Sequence, residues 1–146
     1  MPQPAPPTVT LDLSPETAAN LDAVARRHGI RLLVAFGSRV SGHRHAASDL
    51  DLAVLLDKAG QDDPLGLLSD LQAVFPDCDV DVLWLHRADP LIGWHALRAP
   101  RLLYGDPADL ARRQAYAWRR MVEYEPFFAL EAEAVRRGIA RLARAG

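Results

Sequence analysis

Cysteine and lysine are scarce in this sequence, and long apolar runs are missing from it. Cys78 is the single cysteine, so an internal disulfide cannot form, and no cysteine and histidine spacing of zinc-finger type occurs. Apolar runs such as residues 32–36 are far shorter than the roughly 18 residues that cross a bilayer, and the N-terminus lacks the pattern of a secretory signal. We therefore expect a cytoplasmic protein without a membrane segment.

A strong charge of one sign is also missing. The 146 residues carry 17 basic and 19 acidic side chains, and the excess is acidic over residues 1–100 but basic over residues 101–146. This modest basic excess is not the strongly basic surface typical of nucleic-acid binding, so we expect no direct nucleic-acid partner. The proline-rich residues 1–13 predict a flexible arm, and residues 14–146 predict a single globular domain rather than a multi-domain enzyme.

Helix and strand signals are interspersed along that domain. Ser14 and Pro15 predict the start of a helix over about 15–28, which Gly29 ends. Further elements are a helix from Pro64 that carries Leu65, Leu68, Leu71 and Phe75, a helix over about 90–98, and strands at 30–36, 50–56, 79–85 and 101–104. This order indicates an α/β core with few strands and no hairpin signature between them.

The chain is predicted to end in a long helix over residues 107–145, in which Pro126 should cause a kink or a short break. Its apolar residues recur at helical spacing, and we expect the helix both to complete the core and to help dock a protein partner: Leu110, Ala117, Met121, Phe128, Ala132, Val135, Ile139 and Leu142. Its aromatic residues could stack on nucleic acid, but the same spacing favours core packing combined with a protein-binding face: Tyr116, Trp118, Tyr124, Phe127 and Phe128.

The most informative segment joins the first two predicted strands. Gly37 and Ser38 end the first strand, and Asp49-x-Asp51 opens the second one after ten intervening residues. A glycine lets the backbone approach a phosphate closely, and a serine offers a hydroxyl and a backbone N–H group to it. Two carboxylates two residues apart on a strand leave the same face, where they can bind hard cations. The segment predicts a phosphate cradle beside a metal site.

Two nearby carboxylates repel each other unless divalent cations offset their charge, and paired Mg²⁺ ions recur in displacement reactions at phosphorus. A third carboxylate would complete such a site, and the predicted strand at 79–85 offers both Asp79 and Asp81. His43 and His45 could form a metal pair, but no third nitrogen or thiolate ligand is near in sequence, which favours solvated loop histidines.

With this signature and order of elements, residues 30–104 resemble the minimal nucleotidyltransferase (MNT) branch of the DNA-polymerase-beta-like nucleotidyltransferases. Two further motifs of that branch fit the segments Val80-Asp81-Val82-Leu83 and Arg101-Leu102-Leu103-Tyr104, and the first favours Asp81 as the third carboxylate. The resemblance implies the nucleotidyltransferase fold, with a small mixed sheet flanked by helices and a long C-terminal helix.

The resemblance also implies roles for particular residues. Asp49, Asp51 and Asp81 would hold two Mg²⁺ ions, and Asp81 would help to deprotonate the attacking hydroxyl. ATP would be the substrate, bound by four residues: Gly37, Ser38, Arg39 and Arg44. Many relatives carry a basic residue where this sequence has Ser41, which leaves Arg39 and Arg44 to meet the phosphate charge.

Stand-alone members of this branch are commonly antitoxins encoded beside a HEPN-domain ribonuclease toxin, which they inactivate by transferring AMP from ATP to a tyrosine. The resemblance thus implies a cognate HEPN toxin as partner, in a hetero-oligomer with it. The chain has little beyond the catalytic core, which fits an acceptor brought by another protein. Two alternatives remain open, a small-molecule nucleotidyltransferase of the aminoglycoside-modifying kind and a non-catalytic antitoxin that acts by binding alone.

Overall fold

The computed structural model describes residues 13–37, 49–58 and 63–145. The helices are α1 (Pro15–His28), α2 (Pro64–Val74), α3 (Pro90–Leu97) and α4 (Pro107–Ala145), and the strands are β1 (Ile30–Phe36), β2 (Leu50–Leu56), β3 (Val80–Trp84) and β4 (Arg101–Tyr104). The predicted order of elements is confirmed, and β3 is one residue shorter at each end than the prediction. None of the helices described is long and apolar enough to cross a membrane.

The limits of α1 follow from local chemistry. The Ser14 side chain accepts a hydrogen bond from the Thr17 amide at 3.1 Å, which satisfies a donor that the first turn leaves free. At the other end, Gly29 adopts φ +64°, a left-handed conformation that closes helices at little cost when the residue is glycine. The predicted bounds of α1 are therefore confirmed.

The four strands form one mixed sheet in the order β3-β2-β1-β4. Strand β1 lies between β2 and β4 and is antiparallel to both, whereas β2 and β3 are parallel. The small mixed sheet implied by the resemblance is confirmed. The antiparallel pair β1–β2 had no hairpin signature because its connection runs from residue 37 to residue 49, far longer than the short turns that carry such signatures.

The core has a hydrophobic cluster on each face of the sheet. On one face Leu33 and Leu52 pack with α1 and α2, and on the other Val34 and Ala53 pack with α3 and the first part of α4. In α2, Leu67 and Leu71 are buried, whereas Leu65 is 79% and Leu68 38% exposed. A leucine-rich helix offers two apolar faces, and contact with the sheet selects one of them.

Helix α4 runs without a break from Pro107 to Ala145, so a break at Pro126 is wrong. A proline removes one backbone hydrogen bond, and the flanking turns hold the helix together. Its 39 residues span about 58 Å, and among them Ala117 alone is buried. Val135, Ile139 and Leu142 are 61%, 62% and 75% exposed, so that half of the stripe does not pack in the core.

We predict that Gly105→Ala destabilises the fold far more than Gly29→Ala does. Gly105 has φ +118°, and a Cβ atom there would lie 2.5 Å from the carbonyl oxygen of Arg31. Gly29 has φ +64°, and a Cβ atom there would meet nothing within 4 Å. We expect losses of about 3 and about 1 kcal/mol in the free energy of unfolding, measured by urea denaturation. Equal losses would show that the backbone near Gly105 moves enough to accommodate the added methyl group.

Candidate active site

The candidate site lies at the edge of the sheet where β2 and β3 both begin. Asp51 on β2 is in register with Asp81 on the parallel strand β3, and the Leu50 amide donates to the Asp79 carbonyl at 2.7 Å. Leu50 and Leu52 are buried, and strand alternation turns Asp51 to the opposite face. Two carboxylates distant in sequence thus become neighbours on adjacent strands.

Gly37 borders the same edge. It follows Phe36, which pairs with Asp51 across the antiparallel β1–β2 ladder, and it has φ +83°. A Cβ atom at Gly37 would lie 2.5 Å from Oδ2 of Asp51, so any other residue would displace that carboxylate. The sequence predicted glycine here for access to a phosphate, and the structure adds that Asp51 occupies the space that a side chain would need.

The electrostatics of the edge are dominated by like charges. Burial raises the pKa of Asp51 above its ordinary value, and the negative charges of Asp81 and Asp49 raise it further. Asp49 and Asp81 are themselves exposed. A raised pKa means that the ionised form of Asp51 lacks sufficient compensation from neighbouring positive charge.

A hard divalent cation is the group whose chemistry fits this donor set, since carboxylate oxygens are its preferred ligands and its charge offsets their repulsion. The carboxylates concerned are those of Asp49, Asp51 and Asp81. Within residues 13–37, 49–58 and 63–145, no three histidine, cysteine, aspartate or glutamate side chains form a group that could hold a metal ion as they stand. The negative charges of Asp49 and Asp81 therefore act on Asp51, but the oxygen atoms of the three carboxylates do not converge on one point where a cation could bind.

Several residues that the sequence singled out lie outside the described residues. They are Ser38, Arg39, Ser41, His43, Arg44 and His45, together with residues 1–12 of the predicted N-terminal arm. In the segment that predicts the phosphate cradle, the structure describes Gly37, where the segment begins, and Asp49, which directly follows its end.

Arg101 is a further residue of this region, and its residue type and position in the sequence predicted no role of its own. It opens the edge strand β4 in register with Ala35, two residues before Gly37, so it lies at the same end of the sheet as the three aspartates. Its Nε atom is buried without a hydrogen-bond partner among the described residues. The signal that could have found it is an arginine at the entrance of a short apolar strand, where a charge has no structural reason to be.

Among curated proteins, this chain is similar to the protein adenylyltransferase MntA of Aphanizomenon flos-aquae (strain 2012/KM1/D3). The two are 33% identical over 91 residues, a region that covers 55% of this chain and 60% of that relative. The chain thus spans less than two thirds of the length of the curated relative that it matches.

Solved structures share the fold. A toxin–antitoxin crystallised with AMP-PNP is 21% identical, with a TM-score of 0.64 over 84% of this chain and 98% of that one. The MNT antitoxin of Shewanella oneidensis, in complex with its tri-AMPylated HEPN toxin, is 19% identical, with a TM-score of 0.59 over 86% of this chain and 97% of that one. These likenesses confirm the architecture, including the mixed sheet and the long last helix.

The match to a protein family extends well beyond the edge where β2 and β3 begin. Residues 20–109 match the polymerase beta nucleotidyltransferase family. This range begins in α1, includes the whole sheet with Gly37, Asp51 and Asp81, and ends in the first turn of α4. With more than half of its residues in that match, the chain belongs to the polymerase beta nucleotidyltransferase family.

Proposed function

We propose that this chain is an antitoxin that transfers AMP from ATP to a tyrosine of a cognate HEPN-domain toxin. The observation that carries the transferase part is the register of Asp51 with Asp81 beside Gly37, at one edge of a nucleotidyltransferase sheet. The acceptor is supported by the likeness to a protein adenylyltransferase and to antitoxins solved with HEPN toxins, one of which is AMPylated.

In the proposed reaction, a tyrosine hydroxyl oxygen forms a bond to the α-phosphorus of ATP while the bond to pyrophosphate breaks, and the phenolic proton leaves. A tyrosine hydroxyl has a pKa of about 10 and is a poor nucleophile at neutral pH. Mg²⁺ held by Asp49, Asp51 and Asp81 would neutralise the triphosphate and lower the pKa of the attacking hydroxyl. Asp81, exposed at the start of β3, is the carboxylate proposed to receive the proton.

The remaining contacts of the nucleotide are proposed from the sequence motif. Gly37 leaves the backbone open to the phosphates, and Ser38 contributes a hydroxyl group. Arg39 and Arg44 offset the negative charge that builds up on the leaving pyrophosphate. The raised pKa of Asp51 supports a cation-binding site at this edge. The negative charges of Asp81 and Asp49, which disfavour the ionised form of Asp51, also attract a cation.

The acceptor is proposed to dock on the distal half of α4. Beyond Ala117, the helix exposes Phe127, Val135, Ile139 and Leu142, each by more than half of its surface. An unpartnered apolar face of this kind marks interfaces in proteins that function in complexes. A hetero-oligomer with the toxin would cover it and bring the acceptor tyrosine to the transferase.

We predict that the toxin encoded beside this protein gains whole AMP units on a tyrosine when the two are co-expressed. Intact-mass analysis with peptide mapping measures the additions. They should be absent with Asp49→Asn/Asp51→Asn and present with the control Asp57→Asn/Asp77→Asn, which removes the same charge at two other exposed positions.

The same experiment separates the alternatives. A toxin that is never modified, yet is neutralised equally by the parent and by Asp49→Asn/Asp51→Asn, would establish an antitoxin that acts by binding alone. An unmodified toxin together with AMP transfer to an aminoglycoside by the parent protein would establish a small-molecule nucleotidyltransferase. Either result would contradict the proposed acceptor.

A further inference from the structure

A second site is suggested by a cavity of about 190 Å³ that lies between the turn after β3, helix α3 and helix α4. Its lining includes His86, Gly93, Arg113, Tyr116 and Arg120. Strand β3 begins at the edge that carries Asp81 and runs toward this cavity, which follows its other end. The cavity is therefore distinct from the candidate active site.

Arg113 is unusually placed for a charged residue. Its guanidinium lies 4.4 Å from the ring centre of Tyr116, and Nη2 donates to the backbone carbonyl of Leu85 at 3.1 Å. Burial lowers the pKa of Arg113, and the charge of Arg120 lowers it further. No carboxylate of the described residues pairs with it. A half-buried guanidinium without a counter-charge favours the binding of an anion.

Arg120 brings a second positive charge to the same place. Its Nη1 atom donates to the Tyr116 hydroxyl at 3.1 Å, and its guanidinium lies 5.8 Å from that ring centre. The carboxylate that lines the cavity, Asp89, accepts a hydrogen bond from the Leu91 amide at 2.9 Å as the cap of α3. Two guanidiniums thus meet at one aromatic ring, Asp89 is engaged by the backbone, and the negative charge of Glu123 acts on Arg120 from outside the cavity lining.

His86 supplies an independent observation. Both of its ring nitrogens are buried without a hydrogen-bond partner among the described residues, although the residue lines the cavity. The ring meets Trp84 edge to face at 6.1 Å between centroids, which fixes its position without satisfying either nitrogen. A buried polar atom without a partner is costly, and a turn of the ring that brings one nitrogen to the cavity would let a bound ligand offset that cost.

We propose that this cavity binds a phosphate group, held by Arg113 and Arg120, with a hydrogen bond from His86 when its ring turns toward the cavity. Planar guanidiniums match the oxygens of a phosphate, and its several oxygens can accept from the imidazole at the same time. At about 190 Å³ the cavity is smaller than the roughly 300 Å³ at which pockets for drug-sized ligands begin, so a larger phosphate ester would leave its remainder outside. The proposal does not depend on the proposed transfer reaction.

The test is a titration of ¹⁵N-labelled protein with inorganic phosphate and, separately, with AMP, followed by the NMR signals of the backbone amides of Leu85, His86 and Gly93. We expect saturable shifts of these signals with both ligands. Arg120→Gln should weaken binding about tenfold or more, because hydrogen bonds between charged groups are strong. Arg119→Gln, an exposed neighbour outside the lining, should leave the affinity within about twofold. Arg113→Gln provides a second variant if Arg120→Gln alters the fold.

Several outcomes would overturn the proposal. They are the absence of saturable shifts with phosphate, binding of AMP without binding of phosphate, and equal losses in Arg119→Gln and Arg120→Gln. Acetate that binds as tightly as phosphate at the same ionic strength would show a carboxylate site instead. Tighter binding of AMP than of phosphate would support the proposal and identify a nucleotide as the source of the phosphate, whereas equal binding would indicate free phosphate.

Discussion

The variant Asp49→Asn/Asp51→Asn is expected to bind Mg·ATP on the order of 100-fold more weakly than the parent, because it loses two of the carboxylates that a hard octahedral cation needs. Asp51 lies between Gly37 and Asp81, so its replacement also removes the most central charge of the edge. Each single variant should lose less than the double one, since the partner carboxylate still supplies part of the oxygen shell. Isothermal titration calorimetry with Mg·ATP measures the affinity.

Two features of that experiment make its outcome decisive. Asp57→Asn/Asp77→Asn removes the same charge from exposed positions, so a general electrostatic effect would weaken its binding equally. Asparagine is close to aspartate in shape, and unchanged thermal unfolding would show that Asp51 is not required for folding. If the double variant at the edge binds Mg·ATP as tightly as the parent, the metal site lies elsewhere.

The second large effect is expected from Asp81→Asn, which should lower the rate of AMP transfer by on the order of 100-fold or more while nucleotide binding stays nearly intact. Asp81 is in register with Asp51 and contributes to its raised pKa, whereas Asp79 precedes the strand and offers its backbone carbonyl to Leu50. Asp79→Asn should therefore have a much milder effect on the rate.

A single-turnover assay with the co-purified toxin separates these two carboxylates, because it follows the chemical step apart from product release. Nucleotide affinity is measured on the same preparations, so that a slower reaction is not confused with weaker binding. A greater loss of rate in Asp79→Asn than in Asp81→Asn would show that the third carboxylate has been placed on the wrong residue.

The sequence by itself determined the elements and their limits wherever the signal is local. Ser14, Pro15 and Gly29 define α1 through a side-chain cap, a preset φ and a left-handed closing residue, all of which act within one helical turn. The Gly37-Ser38 and Asp49-x-Asp51 pattern likewise predicted a phosphate cradle beside a metal site, and it carried the resemblance to the nucleotidyltransferases. The sequence could also name Asp79 and Asp81 as candidates, since they lie two residues apart on one predicted strand.

The tertiary structure alone decided what depends on contacts between distant residues. Contacts between strands place Asp51 beside Asp81 and its carboxylate next to Gly37. Contact between α2 and the sheet buries Leu67 and leaves Leu65 exposed. The cavity at Arg113 likewise exists because α3 and α4 pack together. Apolar spacing in α4 could not show that Val135 and Ile139 lack a partner within the chain, because periodicity gives the direction of a face and not what covers it.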